Sequence, residues 1–339
     1  MERVTILGTG LIGASIGLAL KGAKLPALEV VGYDESGSAL SDARKRGAID
    51  VAARDLDKAL ADARLVIIAT PPLAARQLLE AMAPLLAEGA IVTDTLSTKA
   101  EIMRWTRELL PETVSYVGGH PMAGKESSGP TAADADLFRG KAYCVIPSPD
   151  ASEGAVKSVL GLISILGGEP IFIDAAEHDQ FVAAISHLPL VLSSALFSLV
   201  RESVAWQDIR PLTSSGFRDL TRLASGDPQM AHDICATNGE AIIHWIDRLI
   251  EELRRYRELI ADDPAELFKT FAGVQLKRDA YLAGDDSSQR ERMDIPSAGE
   301  QMSSVLFGGF LTSRMKDYEK RMKEVESRQA RDRGPRNGR

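Results

Sequence analysis

The chain has 339 residues, of which 45% are hydrophobic and 26% are charged, and its formal net charge is −8 at pH 7. That length predicts two domains, and the acidic balance argues against nucleic-acid binding. Two cysteines are too few for a disulfide framework, so a reducing compartment is expected. We find no signal-peptide pattern at the start and no uninterrupted apolar run of membrane-spanning length, so the sequence indicates a cytoplasmic protein without a membrane partner.

The first strand, turn and helix carry a dinucleotide-binding pattern. Residues 4–7 form an apolar run typical of a buried parallel strand, and residues 11–20 are predicted to be a helix whose N-terminus faces an anion. Between them lies Gly-x-Gly-x-x-Gly, in which the first glycine allows a tight turn, the second lets a pyrophosphate approach and the third lets the helix pack closely. The predicted cofactor contacts here are Gly8, Thr9, Gly10, Leu11, Ile12 and Gly13.

The ends of two later strands complete this cofactor site. Residues 29–33 are predicted to be a strand that leads into Asp34, about 20 residues after the glycines, where the pattern requires a carboxylate for the ribose hydroxyls. Asp34 is followed by Glu35 with no arginine beside it. Because two carboxylates repel a 2′-phosphate, the sequence predicts NAD rather than NADP. A buried strand is expected at 65–70, and its end adds three predicted cofactor contacts, Thr70, Pro71 and Pro72.

The remaining elements predict an α/β domain followed by a helical domain. Further strands are expected at 48–52, 90–94, 115–119, 141–147 and 170–174, with a long loop over 122–140. Strands that alternate with helices predict a doubly wound parallel sheet. Later helices are expected at 175–203 with a kink at Pro189, 216–225, 228–260 and 264–283. We therefore predict a Rossmann domain over 1–174, an all-α domain over 175–285 and a C-terminal extension over 286–339, whose basic end is expected to be solvated and partly disordered.

Two histidines and two arginines are candidates for chemistry. His120 closes a strand at the ligand-bearing edge of the sheet, and His187 precedes the expected kink; the pattern leaves each balanced between a structural and a functional role. Arg218 and Arg222 are four residues apart, so one helix face would present two guanidinium groups to a pocket or to solvent. The other histidines are interpreted as structural: His178, His232 and His244. No histidine lies at metal-ligand spacing from a second ligand, so no metal site is predicted.

Five motifs occur together along the chain. They are Gly8-x-Gly10-Leu-Ile-Gly13, Asp94-x-x-Ser97-x-Lys99, Gly119-His120-Pro121-Met-Ala-Gly124-x-Glu126, Ser186-His187-Leu-Pro189 and Gly216-Phe217-Arg218-Asp219-x-Thr221-Arg222. The set resembles the prephenate/arogenate dehydrogenases of tyrosine biosynthesis, over residues 1 to about 280. The resemblance implies a Rossmann domain followed by a helical dimerisation domain, a homodimer, NAD as cofactor, and oxidative decarboxylation of prephenate or arogenate.

The resemblance also implies a role for each matching residue. His120 matches the histidine that engages the ring hydroxyl during oxidation, and Ser97 matches a serine that is hydrogen-bonded at the same place. Arg222 matches the arginine that holds the ring carboxylate. His187 matches a histidine near the substrate's side chain, and Glu126 matches an acidic residue at the mouth of the pocket. These residue types suit the reaction, because a neutral imidazole accepts a hydroxyl proton and arginine binds a planar carboxylate through two hydrogen bonds.

Two positions vary from the usual pattern of the family. Arg218 stands where lysine is frequent, and it keeps the positive charge. Leu190 stands where many members have a second histidine, which leaves the recognition of the substrate's side chain open. No segment resembles the regulatory ACT or chorismate mutase domains of some members. The choice between prephenate and arogenate, and inhibition by tyrosine, do not follow from the sequence.

Two other functions fit a Rossmann domain followed by a helical domain. One is a β-hydroxyacid-type dehydrogenase, which uses a lysine on the helical domain as its acid and base. The other is a non-catalytic NAD-sensing scaffold whose helical domain and basic end bind a partner. The combination of Ser97, His120 and Arg222 favours the prephenate/arogenate dehydrogenase over both.

Overall fold

The computed structural model describes residues 2–125 and 127–284 of the chain. The chain divides after His178 into two compact units. Two of the predictions from sequence, the role of Glu126 and the character of the extension at 286–339, concern residues that lie outside the described ones.

The first unit is built on one eight-stranded sheet. Its strands are β1 Glu2–Leu7, β2 Leu28–Tyr33, β3 Val51–Ala53, β4 Ala63–Ile68, β5 Ile91–Asp94, β6 Ser115–Pro121, β7 Ala142–Pro147 and β8 Glu169–Phe172. Their order across the sheet is β3-β2-β1-β4-β5-β6-β7-β8. The chain runs outward from β1 through β2 and β3, and then continues on the other side of β1 with β4. The topological switch point therefore lies between β1 and β4, where doubly wound sheets bind their ligands.

Helices cover both faces of this sheet. They are α1 Leu11–Gly22, α2 Gly37–Lys45, α3 Leu56–Leu60, α4 Pro72–Met82, α5 Ala100–Leu109 and α6 Glu153–Leu166. Serine N-caps fix two of the starts, because the Ser36 and Ser152 hydroxyls accept hydrogen bonds from backbone N–H groups of α2 and α6. Sequence periodicity did not predict α3, which has only five residues and is too short to show a helical repeat.

The two faces of the sheet each carry an apolar core. Successive residues of a strand point to opposite faces. Ile6 and Ile67 therefore pack in a cluster with α1 and α6, whereas Leu7 and Ile68 pack in a second cluster with α4 and α5. All four side chains are fully buried, and each such burial contributes about 1.5–3 kcal/mol. The loops at the carboxyl ends of β1 and β4 are therefore held by a well-packed interior.

The sheet is parallel except where β7 pairs with β6. The predicted doubly wound parallel sheet is confirmed over β1 to β6, and the pairing of β7 with β6 is the one departure from it. A parallel connection needs a crossover, usually a helix. The described part of the connection from β6 to β7 contains only the 3₁₀ turn Pro130–Ala132, so the chain returns antiparallel. β7 and β8 are parallel, and α6 is their crossover helix.

From residue 175 onward the described chain contains helices and no strand. They are α7 Ala175–Val182, α8 Leu188–Arg201, α9 Trp206–Ile209, α10 Ser215–Thr221, α11 Pro228–Thr237, α12 Gly239–Asp262 and α13 Pro264–Ala283. The starts of α11 and α13 agree with the prediction, because Asp227 and Asp263 cap them and a proline follows. The single helix predicted at 228–260 is wrong at Asn238, whose non-helical backbone (φ −135°, ψ 30°) separates α11 from α12.

The kink predicted at Pro189 takes the form of a wide turn. Residues Ala183–His187 form a π-helix between α7 and α8. Pro189 has no N–H to donate, and its ring would clash with the Ile185 carbonyl of a regular α-helix. The wider turn removes that conflict, and such turns are frequent at functional sites. It ends on His187, which was singled out from the sequence.

The second unit leaves many large apolar side chains exposed. Examples are Leu199, Leu212, Phe268, Phe271 and Leu276. The continuous helical stretch Ala175–Arg201 is also apolar, and only 22% of its most apolar window is buried. By length and composition this stretch is able to cross a membrane, which contradicts the expectation that no apolar run is long enough. A helix that packs against another protein chain has the same composition.

Candidate active site

The glycine turn between β1 and α1 leaves one side open to a ligand. Gly8 has a φ of +96°, and a Cβ there would lie 2.5 Å from the Ala69 carbonyl oxygen. A Cβ on Gly13 would lie 2.0 Å from the Gly8 carbonyl oxygen. Both positions therefore require glycine for packing. A Cβ on Gly10 would meet no atom within 4 Å, so this residue, which precedes the first residue of α1, faces open space where a phosphate can approach the helix N-terminus.

Asp34 lies against this turn at the carboxyl end of β2. Its Oδ2 accepts hydrogen bonds from the Thr9 backbone N–H at 2.7 Å and from the Thr9 hydroxyl at 3.0 Å. Its Oδ1 accepts a hydrogen bond from the Ser36 N–H at 2.8 Å. An ionised carboxylate has about four acceptor positions, so Asp34 retains capacity for a ribose hydroxyl. Thr9, which was predicted as a cofactor contact, therefore also orients the carboxylate that was predicted to bind the ribose.

The third predicted cofactor segment adjoins the same glycine turn. β4 ends at Ile68, Pro71 precedes α4 and Pro72 is its first residue. A Cβ on Gly8 would lie 3.1 Å from Thr70 Cγ2. The Thr70 hydroxyl is buried and has no hydrogen-bond partner among the described residues. Buried polar groups normally have partners, so an unpaired hydroxyl beside an open glycine turn fits a bound polar ligand.

Asp94 fixes the loop that carries Ser97. Its Oδ1 accepts hydrogen bonds from the Leu96 N–H at 2.8 Å and from the Lys99 ammonium. Its Oδ2 accepts hydrogen bonds from the Tyr116 hydroxyl and from the Gly119 N–H at 3.3 Å. Asp94 and Lys99 are both fully buried. This carboxylate therefore holds the loop after β5 against β6, one residue before His120.

The surroundings of this carboxylate keep the neighbouring phenols protonated. Burial raises the pKa of Tyr116 well above its ordinary value, and the adjacent Asp94 charge raises it further. Burial and the same charge raise the pKa of Tyr143. Tyr116 is therefore a permanent donor to Asp94. The Ser97 hydroxyl is buried and has no hydrogen-bond partner within the described parts of the chain, so the loop carries a polar group with the capacity to bind a ligand hydroxyl.

His120 is hydrogen-bonded to a second histidine. Its Nδ1 lies 2.9 Å from Nε2 of His178, and the two rings are edge-to-face with centroids 5.1 Å apart. His178 is 1% exposed. Sequence reasoning gave His178 a structural role, because nothing in its spacing along the chain connects it with His120. The structure places it in direct contact with the candidate base, where it orients the ring and selects which nitrogen carries the hydrogen.

The second unit contains a buried group around His187. His187 is 1% exposed, and its Nδ1 lies 3.2 Å from Nδ2 of Asn238. The same Asn238 nitrogen donates a hydrogen bond to the Asp179 carbonyl oxygen at 2.8 Å. Leu190, where the resemblance led us to look for a second histidine, packs with Val191 against the buried cluster of this unit. Asn238 was missed from the sequence, because it lay inside a segment that was predicted to be one continuous helix.

Arg218 and Arg222 lie at the end of α10, and both are exposed. The α-helix ends at Thr221, and Arg222 begins a 3₁₀ turn. The sequence predicted that the two arginines share one face of a regular α-helix. The helix instead changes to a 3₁₀ turn at Arg222, so this prediction is wrong. The turn is fixed to α8, because the Ala224 N–H donates a hydrogen bond to the Ser193 hydroxyl at 3.0 Å. In the described part of the chain, no group of three or more potential ligands could hold a metal ion.

The parallel sheet, the open glycine turn and the adjacent carboxylate define a dinucleotide-binding dehydrogenase domain, followed by a helical unit. A family model described as "Prephenate dehydrogenase, nucleotide-binding domain" matches residues 16–171. A second, "Prephenate dehydrogenase, dimerization domain", matches residues 174–273. The chain belongs to the prephenate dehydrogenase family, which confirms the resemblance found in the sequence and disfavours the β-hydroxyacid alternative.

Individual relatives agree with this assignment. The chain is 33% identical to a prephenate dehydrogenase of Bacillus subtilis over 284 residues, which cover 82% of this chain and 76% of that protein. It is 31% identical to a cyclohexadienyl dehydrogenase of Zymomonas mobilis, over 84% of this chain and 98% of that protein. A solved structure of prephenate dehydrogenase from A. aeolicus, in complex with hydroxyphenyl propionate and NAD+, is 28% identical with a TM-score of 0.77 and covers 83% of this chain and 98% of that one. A Synechocystis arogenate dehydrogenase structure is 29% identical with a TM-score of 0.70, over 82% and 99%.

Proposed function

We propose that this protein is an NAD-dependent enzyme that oxidatively decarboxylates prephenate to 4-hydroxyphenylpyruvate, or arogenate to tyrosine. The observation that carries the proposal is the His120–His178 pair at the carboxyl end of β6, beside the loop that Asp94 fixes. A histidine whose Nδ1 is engaged by a neighbour presents Nε2 to a substrate. That arrangement suits proton removal from a hydroxyl group. The names of the relatives, among them prephenate and cyclohexadienyl dehydrogenases, agree with this chemistry.

In the proposed reaction His120 removes a proton as the ring is oxidised. Its Nε2 accepts the proton of the C4 hydroxyl while the hydrogen on C4 departs as hydride, and the Ser97 hydroxyl hydrogen-bonds the same oxygen. The bound nicotinamide supplies the hydride acceptor. The developing ketone makes the ring a vinylogous β-keto acid, so the bond from C1 to the carboxylate breaks and carbon dioxide leaves. The electron pair of that bond makes the ring aromatic with a phenolate at the C4 oxygen, which regains its proton from His120. Because aromatisation drives this step, the main task of the protein is to orient the reactants.

His178 sets the protonation of the base. When His120 accepts a proton on Nε2, its other hydrogen is on Nδ1, and that N–H must be donated to His178 Nε2. His178 is then a neutral acceptor whose own hydrogen is on Nδ1. As His120 becomes positively charged, this hydrogen bond becomes charge-assisted and stronger. His178 therefore stabilises the charge that develops during the reaction.

Recognition of the substrate is proposed for three residues after 175 and for Glu126. Arg222 binds the ring carboxylate, because a guanidinium fork matches a planar carboxylate through two hydrogen bonds. Arg218 supplies a second positive charge. His187 and Glu126 are proposed to contact the side chain of the substrate and the mouth of its pocket. These roles rest on the family match over residues 16–171 and 174–273.

The glycine turn, Asp34 and the segment Thr70–Pro71–Pro72 are proposed to hold NAD. Gly10 gives the pyrophosphate access to the N-terminus of α1, where Leu11, Ile12 and Gly13 present backbone N–H groups. Asp34, held by Thr9, accepts hydrogen bonds from the ribose and repels a 2′-phosphate. The buried, unpaired Thr70 hydroxyl fits a polar group of the same cofactor.

A homodimer accounts for the apolar surface of the second unit. Large apolar side chains such as Leu199, Phe268, Phe271 and Leu276 are exposed in the single chain, and exposed apolar patches are typical of interaction surfaces. The match of residues 174–273 to a dimerisation domain supports a second copy of this chain as the partner. We assign the apolar stretch Ala175–Arg201 to that association rather than to a membrane, and we expect a cytoplasmic enzyme that binds no nucleic acid.

NADH formation tests the proposal. The purified protein is mixed with NAD and either prephenate or arogenate, and the absorbance of NADH is followed. The proposal predicts turnover with at least one of the two substrates and none with a 3-hydroxy acid. Tight NAD binding without any turnover would instead support the scaffold function.

A further inference from the structure

Asn238 lies between two helices with its side-chain amide directed into the second unit. The residue is 8% exposed and separates α11 from α12. Its Nδ2 donates to the Asp179 carbonyl oxygen at 2.8 Å and lies 3.2 Å from Nδ1 of His187. One amide nitrogen therefore bridges a backbone carbonyl and the ring of a buried histidine. These three residues belong to the same compact unit.

The Asp179 carbonyl determines how the amide is oriented. A carbonyl oxygen only accepts hydrogen bonds, so the side of Asn238 that faces it must be the NH₂ group and not the amide oxygen. The second hydrogen of that NH₂ group then points towards His187 Nδ1. Because a donor faces this ring nitrogen, Nδ1 must act as the acceptor. The ring hydrogen of His187 is consequently on Nε2, and the ring is neutral.

We propose that Asn238 is a positioning residue that fixes His187 as a hydrogen-bond donor through Nε2, and that this donor selects substrates that present an acceptor at C2 of the side chain, next to the carboxylate that both substrates carry. The proposal rests on the proposed function, in which His187 contacts the side chain of the substrate. Prephenate carries a 2-oxo group there, and its oxygen accepts the hydrogen bond. Arogenate carries an ammonium group, which has three donors and no acceptor. The enzyme therefore favours prephenate over arogenate.

Burial makes this selection effective. His187 is 1% exposed, and in such an environment a donor that faces another donor costs more than it does in water. A polar site that is built for one partner rejects an analogue that cannot complete the hydrogen bond. We therefore expect kcat/KM to be at least about tenfold higher for prephenate than for arogenate, which corresponds to about 1.4 kcal/mol.

The first test observes the hydrogen directly and needs no substrate. The full-length protein is labelled with ¹⁵N-histidine, and the ring signals of His187 are assigned by their loss in His187→Gln. Expected is a neutral ring with its hydrogen on Nε2. In Asn238→Asp a carboxylate acceptor faces Nδ1, so the hydrogen is expected on Nδ1. A wild-type ring that carries its hydrogen on Nδ1 overturns the proposal.

The second test compares the two substrates. In Asn238→Asp the ratio of kcat/KM for prephenate to that for arogenate is expected to fall by about tenfold or more at the upper end of a series from about pH 7 to about pH 9. Asn238→Ser, whose hydroxyl both donates and accepts, is expected to lower the ratio by less. If the aspartate variant does not fold, the substrate ratio of the serine variant is the test of the proposal. An unchanged ratio in the folded variants overturns the selection.

Trp245→Phe is the matched control. The Trp245 Nε1 donates to the Gln180 carbonyl oxygen at 3.3 Å, so it ties α12 to the residue next to Asp179 without contributing a polar group to His187. This variant should leave both the ¹⁵N signals of His187 and the substrate ratio unchanged. If neither substrate reduces NAD, the proposed function fails, whereas the NMR experiment still decides the position of the hydrogen.

Discussion

Replacement of His178 by leucine tests whether the histidine pair acts as a unit. The variant removes the acceptor, His178 Nε2, which lies 2.9 Å from His120 Nδ1. The Nδ1–H group of His120 is then left without that acceptor, next to the buried side chain at position 178. A buried donor left unsatisfied costs about 1–3 kcal/mol, and about 1.4 kcal/mol corresponds to a tenfold change in rate. If the cost falls on the transition state, in which His120 becomes charged, kcat decreases by about 5- to 150-fold.

The assay for this variant is the initial rate of NADH formation over a pH series. KM should change little, because the proposal gives His178 a contact with His120 and none with the substrate. In the profile of kcat/KM against pH, the fall on the acidic side should move to lower pH. The reason is that protonated His120 no longer has an acceptor for its Nδ1–H, so the protonated form is stabilised less. His178→Gln, whose amide oxygen can accept, should restore part of kcat. His244→Leu, at an exposed histidine, is the control. A folded His178→Leu enzyme with wild-type kcat and an unmoved acidic limb would refute the reasoning.

Three further predictions follow from the same structure. Asp34→Ser should reduce the preference for NAD over NADP, measured as the ratio of kcat/KM, because it removes the carboxylate that Thr9 orients; equal use of both cofactors by the wild type would disprove the role of Asp34. Arg222→Ala should raise KM for prephenate far more than it lowers kcat, the signature of lost uniform binding; an effect on kcat alone would contradict it. Light scattering at micromolar concentration should give the mass of a dimer, because we propose that the exposed apolar side chains of the second unit pack against a second copy of the chain; a monomer mass would exclude that assembly.

Local sequence patterns were sufficient to predict the glycine turn, the helix after it and the carboxylate at the end of β2, which we propose as the cofactor half of the site. The glycine spacing predicts the turn because the contacts that require glycine are close by. Gly13 packs against the Gly8 carbonyl of the same turn, and Gly8 packs against the Ala69 carbonyl just after the adjacent strand β4. Asp34 could be predicted because it follows β2 directly. Apolar runs predicted the strands well, since buried strands are read from a few consecutive residues.

The features that sequence reasoning missed depend on contacts between distant residues. His178 lies 58 residues from His120 along the chain, and Asn238 lies 51 residues from His187. The pairing of β7 antiparallel to β6 follows from a connection whose described residues form no crossover helix, and strand patterns do not reveal this. The break at Asn238 interrupts a helical pattern that continues on both sides, because a hydrogen bond to the Asp179 carbonyl stabilises a non-helical backbone there. Tertiary hydrogen bonds therefore determine these positions more strongly than local propensity does.

The central claim is that His120 removes the hydroxyl proton as hydride leaves the ring. The most direct measurement compares kcat for prephenate or arogenate in the wild type and in His120→Asn, with NAD binding measured in both proteins. The account predicts NADH formation by the wild type, a loss of about 10²–10⁴-fold in kcat for the variant, unchanged NAD affinity and little change in KM. It also predicts that kcat/KM of the wild type falls below about pH 6.5, the ordinary range in which histidine becomes protonated. A His120→Asn enzyme that binds NAD and retains near-normal kcat would contradict the account.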